Sequence, residues 1–207
     1  MEAITGMGLA TGAGFNKVLP ILMLALFVRS GGMEVGESYA FMERPEFIAF
    51  LGVLLVIELA ADKIPVLDNF YNVIGVGLAP ISGAFVASAS TSTIDPSTLD
   101  PTLITAFSYI FGGGLAGIFH GTKTLARPVI NLSTAGVGGI FVSIIEDIFS
   151  FFMSLIALVL PVIALCFMAF LFLFALWVFS SASSTRQRRY DPRVRTLPPR
   201  PISRRRY

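Results

Sequence analysis

The sequence predicts an all-α integral membrane protein, a bundle of about six transmembrane helices with some of them broken or re-entrant. Three observations carry that prediction. Of the 207 residues, 55% are hydrophobic and only 14% charged, with a mean hydropathy of +0.79. Soluble domains are about a quarter charged, and a soluble core of this size cannot hide so much apolar surface. The apolar residues fall in runs near the roughly 20 needed to cross a bilayer. Several runs carry glycine and proline inside them, which breaks or kinks a helix.

The first run covers residues 3–28 and is interrupted by "TGAGFNKVLP", so it reads as one broken or kinked span. The second, residues 45–61, ends in "ELAADKIPVLDNF", where charges follow directly on a membrane-grade segment. Pro65 makes "KIPVLDN" a turn. The third, residues 69–89, holds Gly75, Gly77, Pro80 and Gly83, and its glycines permit close helix packing. "STSTIDPSTLDPT" is then a polar loop with two Asp-Pro stops. The fourth covers 102–122. "RPVINLSTAGVGG" reads as a re-entrant segment or interfacial turn. Residues 137–179 carry only Glu146 and Asp147 as charges. One helix of that length would run about 65 Å, so two spans joined at Pro161 are expected. Six spans result, with five as the alternative. A diverged internal repeat fits the way Glu58-x3-Asp62-Lys63 and His120-x2-Lys123 each end a span before a proline.

The charge is asymmetric. Nine of the fifteen basic residues are the arginines Arg186, Arg188, Arg189, Arg193, Arg195, Arg200, Arg204, Arg205 and Arg206. They define an Arg/Pro-rich tail, 181–207, behind a transmembrane domain, 1–180. The positive-inside rule places the tail in the cytoplasm, and six spans would bring the N-terminus there too. Glu2 precedes the first basic residue, Lys17, so a cleaved signal peptide is not expected. Cys166 is alone and lies in an apolar run, so no disulfide framework forms. No Cys/His spacing suits a metal, and no cofactor is expected.

The ionisable residues inside the runs need partners. Glu58 and Asp62, four apart, share a helix face. His120, Lys123 and Arg127 share another if Pro128 marks a helix end. Glu146 and Asp147 point about 100° apart and have no basic neighbour in sequence. A carboxylate at mid-membrane costs about 2.5–3.5 kcal/mol on insertion scales, so these groups should face the bundle and one another.

Taken in order, "GFNKVLP", "E-x2-ADKIP-x2-D", "H-x2-K-x3-R-x3-N-x-S" and the later "ED" resemble an uncharacterised family of small bacterial multi-pass membrane proteins carrying a domain of unknown function. The resemblance covers residues 6–179. It implies an all-helical membrane domain with Asn16, Glu58, Asp62, Lys63, Asp68, His120, Lys123, Arg127, Asn131, Ser133, Glu146 and Asp147 as the matching polar positions. It implies no activity.

The functional expectation is a small ion- or proton-coupled transporter or permease in a bacterial inner membrane. Asn16, Lys17, Glu58, Asp62, Lys63, His120, Lys123, Arg127, Asn131, Glu146 and Asp147 would form its polar pathway or ion-pair network. The alternative is a non-catalytic accessory subunit of a larger membrane complex. The partners expected are the lipid bilayer, other subunits or further copies of the chain, and an anionic lipid or acidic protein surface for the tail. Nucleic acid is not expected to be one. Enzymatic activity is not expected: there is no nucleophile elbow or phosphate loop, and "GMGLATGAG" sits in an apolar run with no strand before it.

Overall fold

The computed structural model describes residues 1–174 except 96, 98, 135 and 136, with the side chains of helical residues 65–66, 68–69, 128–129, 131–133 and 137 left aside. The regular elements among the described residues are all helices. The helices are α1 (Glu2–Ala13), α2 (Leu19–Arg29), α3 (Pro45–Ala61), α4 (Pro65–Thr91), α5 (Pro101–Ser133), α6 (Val137–Val159) and α7 (Pro161–Phe174), with a 3-10 segment (Glu37–Glu43) between α2 and α3. Proline opens α3, α4, α5 and α7, where its fixed φ suits the first turn and its missing N–H costs nothing. Asp100 caps α5, its Oδ1 accepting the Thr102 N–H at 2.7 Å.

Among the described residues, three stretches are long and apolar enough to cross a membrane: Phe70–Thr91, Pro101–Arg127 and Gly138–Val159. The exterior fits a lipid solvent. Phe50, Val73, Ile110 and Phe141 are each more than half exposed, while buried positions hold lysine, arginine, carboxylates and hydroxyls. Residues Met1–Ala169 form one compact unit; Phe170 begins a second, whose described part is the end of α7 with Phe170 stacked on Phe174.

α4 and α5 pack antiparallel along their length. Thr91 bonds Ser108 near one end, and His120 meets Asn72 near the other. Between them the backbones nearly touch: a Cβ on Gly112 would fall 2.5 Å from the Ala87 Cβ.

The first apolar run is not one kinked span. α1 starts beside the far end of α4, with Gly6 against Ala87 and Ser90, and descends until Gly14 lies against Ala116 and Phe119 of α5. The chain turns at residues 14–18. α2 then climbs back, burying Val28 in the same cluster as Val86 and Ala89, and Gly36 beyond it donates its N–H to Ser92 Oγ at 2.8 Å. Both outer ends of α1 and α2 therefore lie at the α4–α5 loop, and the pair is a helical hairpin. The six-span expectation counted this run as a crossing. The reversal arises because the turn residues find polar partners deep in the bundle.

Two further expectations change: α4 opens at Pro65, where proline suits a first helical turn, so the turn is confined to residues 62–64 instead of spanning "KIPVLDN". α5 runs through Pro128 to Ser133, so "RPVINLS" extends a helix instead of forming a separate segment. The break at Pro161 occurs where expected, between α6 and α7.

Candidate functional site: a buried charge layer at the hairpin tip

Gly14 lets the hairpin tip reach the bundle interior. A Cβ there would sit 2.6 Å from the Phe119 Cβ and 2.9 Å from the Ala116 carbonyl. Next to it, Asn16 organises the turn. Its Oδ1 accepts the N–H groups of Val18 at 3.1 Å and Leu19 at 2.9 Å, closing the first turn of α2.

Glu58 of α3, fully buried, meets the same tip. It accepts the N–H groups of Lys17 and Val18, each at 3.1 Å, and pairs with Lys17 Nζ at 2.7 Å. A carboxylate at the N-terminus of α2 lies at the positive end of that helix dipole. The other side of the tip carries the opposite charge. Lys123 of α5 donates Nζ to the Phe15 carbonyl at 2.8 Å, just past the end of α1. Each broken end thus meets the sign that its dipole favours. Lys17 Nζ also lies 5.2 Å from the Tyr71 ring centre.

The adjacent acids of α6 diverge as helix geometry requires. Glu146 faces α5, with Oε2 at 3.0 Å from Lys123 Nζ and 2.6 Å from Arg127 Nη2. Asp147 faces the hairpin tip and the α3–α4 turn. Asn16 Nδ2 donates to its Oδ1 at 3.0 Å, and Lys63 Nζ stands 3.9 Å from its Oδ2. Lys63 is 40% exposed at its side chain and donates to the Leu59 carbonyl. Asp62, buried, has one long hydrogen bond, from Ser143 Oγ at 3.4 Å. Among the described residues it makes no salt bridge.

Among the described residues, four basic ones (Lys17, Lys63, Lys123, Arg127) and four acidic ones (Glu58, Asp62, Glu146, Asp147) therefore make a layer in which the formal charges balance. Compensation is uneven within it. Glu58 has a buried lysine and two backbone donors, and Glu146 has two buried cations. Asp147 has only the half-solvated Lys63 at 3.9 Å as a cation, and Asp62 only the long Ser143 hydrogen bond among the described residues.

Of the residues singled out from sequence, Asn16, Lys17, Glu58, Asp62, Lys63, Lys123, Arg127, Glu146 and Asp147 come together. His120 sits beside them, but its ring lies against α4, with Nε2 at 3.2 Å from the Asn72 carbonyl. A Cβ on Gly75 would fall 2.6 Å from that nitrogen. The side chains of Asn131, Asp68 and Ser133 and the nine tail arginines lie outside the described residues. Sequence reasoning missed Tyr71, Ser143 and the Phe15 carbonyl. Ser143 could have been found as the residue one helical turn before Glu146 and Asp147 on α6; the carbonyl had no signal, since helix ends in space are not written in side chains.

The family model for a domain of unknown function, DUF4126, matches residues 3–181. No curated protein and no solved structure matches the chain.

Proposed function

We propose that this chain, which belongs to the DUF4126 family, is a small ion- or proton-coupled membrane transporter whose working groups are Asp62 and Asp147. One observation carries this reading. The tip of a helical hairpin meets a buried charge layer in which two carboxylates are locked by cations and two are not. A locked carboxylate is held in place by its partners. An under-compensated one, part-buried and next to a solvated lysine, is the group that can take a proton or admit a cation. Broken helices that end on charged side chains are how transporters build such sites.

This narrows the eleven-residue polar set expected from the sequence to two carboxylates. Glu58 and Lys123 now read as the clamps of the hairpin. With the hairpin not crossing and α7 taken as a crossing, five spans place the N-terminus opposite the tail, and the tail remains on the cytoplasmic side of a bacterial inner membrane. No cofactor and no catalytic step enter this reading.

The test is proton flux into liposomes containing the purified chain, read with an entrapped pH-sensitive dye. Flux above empty liposomes is expected, falling at least tenfold in Asp147→Asn. Equal flux in wild type and Asp147→Asn above background overturns the role of Asp147.

A second reading, an accessory subunit of a membrane complex, is favoured by the buried Lys17–Glu58, Lys123–Glu146 and Arg127–Glu146 pairs, which suit a rigid scaffold. The arginine tail would then dock on an acidic protein surface through bidentate carboxylate pairs, which lysine cannot reproduce. A stoichiometric partner purified from native membrane, lost when the nine arginines become lysine, would support it. Retention of the tail only by anionic lipid would leave the transporter reading in place.

A further inference from the structure

We infer that Asn16 is a positioning residue that couples the charge on Asp147 to the closure of the hairpin tip. The inference rests on reading Asp147 as the proton-accepting group. Asn16 is 1% exposed, and one amide serves two tasks. Its nitrogen donates to Asp147 Oδ1 at 3.0 Å, and its oxygen accepts the Val18 and Leu19 N–H groups at 3.1 and 2.9 Å. An amide is planar, so fixing its nitrogen side fixes where its oxygen points. While Asp147 is ionised, the charge-assisted bond from Nδ2 holds the ring of contacts together. When Asp147 takes a proton, its acceptor strength falls. The amide then loses its anchor, and the first turn of α2 loses its cap.

The groups around Asp147 make the coupling directional. Asp62 and Lys63 face it from the α3–α4 end, Lys123 from α5, Asn16 from the tip, and Glu146 precedes it on α6. Glu58 binds the Lys17 and Val18 N–H groups from another side and keeps the hairpin seated when Asn16 lets go. Local loosening of the Asn16 turn, with the hairpin retained, is therefore the expected movement.

The experiment is amide hydrogen exchange of the full chain in detergent, read by mass spectrometry on peptides covering residues 16–22, between pH 5 and pH 9. Rates are divided by the intrinsic rate at each pH to give protection factors. In wild type, protection should fall at least fivefold as the pH drops through the titration of Asp147. In Asp147→Asn it should be low and flat with pH. Asn16→Ser keeps a capping oxygen but cannot reach Asp147, so its protection should be substantial and flat. A wild-type profile without pH dependence overturns the coupling, and so does an Asn16→Ser profile that keeps the wild-type dependence. The readout involves no flux, so the coupling and the transporter reading can fail separately.

Discussion

Asn16 and Asp147 lie 131 residues apart in the chain, yet their side chains meet at 3.0 Å inside the bundle. That contact ties the first turn of the protein to its penultimate described helix, and the charges around it set what substitution should do.

Glu146 neutralises two buried cations. Glu146→Ala should strip both Lys123 and Arg127 of a shared partner and cost about 3–5 kcal/mol, as for a broken buried pair. Thermal unfolding in detergent would show it. A midpoint unchanged within error would mean that lipid or detergent headgroups replace the carboxylate.

Lys17 and Glu58 should behave as a coupled pair. Lys17→Met leaves a buried carboxylate uncompensated and should cost about 3–5 kcal/mol. The double variant Lys17→Met, Glu58→Met should recover part of that loss. It should not recover all of it, because the Lys17 and Val18 N–H groups then lose their acceptor, at about 1–3 kcal/mol each. Full recovery would show that the capping role of Glu58 is negligible.

Two glycines offer a matched comparison. Gly14→Ala drives a methyl into Phe119 and the Ala116 carbonyl and should destabilise by about 1–3 kcal/mol. On α3, a Cβ at Gly52 has no neighbour within 4 Å. Gly52→Ala should therefore be neutral, or stabilise by up to about 1 kcal/mol through helix propensity. Equal effects at the two sites, by unfolding midpoint, would rule out tight tip packing.

Asp100 gives a pH dependence outside the membrane. The Thr102 N–H bond to its carboxylate holds its pKa below the usual value. The ionised form is therefore the one the fold favours. The cap contribution is complete above the unfolded pKa of about 3.9 and is lost as pH falls through the lower folded value. Between pH 6 and pH 2, the wild-type unfolding midpoint should drop relative to that of Asp100→Asn, which has no charge to lose. Parallel curves would contradict the assignment.

Much of this was legible in the sequence, for specific reasons. The i, i+4 spacing of Glu58 and Asp62 and the i, i+3, i+7 spacing of His120, Lys123 and Arg127 are helix geometry, and both sets do face the interior. The adjacency of Glu146 and Asp147 foretold two different partner sets. The hairpin was not legible, because hydropathy is a property along a line and cannot record a reversal of direction. Nor was the helix through Pro128, since the rule that proline ends helices is a local preference that a long helix can override. His120 was read as a member of the charge set from its spacing. Its ring lies instead against Gly75 and the Asn72 carbonyl, because a glycine opposite it leaves a slot of that size.

The distance in sequence between the hairpin and its partners has a consequence for biosynthesis. The tip emerges from the ribosome first, with Lys17 and Asn16 unpaired. Glu58 follows 41 residues after Lys17, and Asp147 follows 131 residues after Asn16. At about 5–20 residues per second, translation needs roughly 7–26 s to deliver Asp147. Until then the Asn16 amide would lie in hydrocarbon without its carboxylate partner, a cost that favours holding α1 and α2 at the bilayer surface until α3–α6 supply the pairing groups.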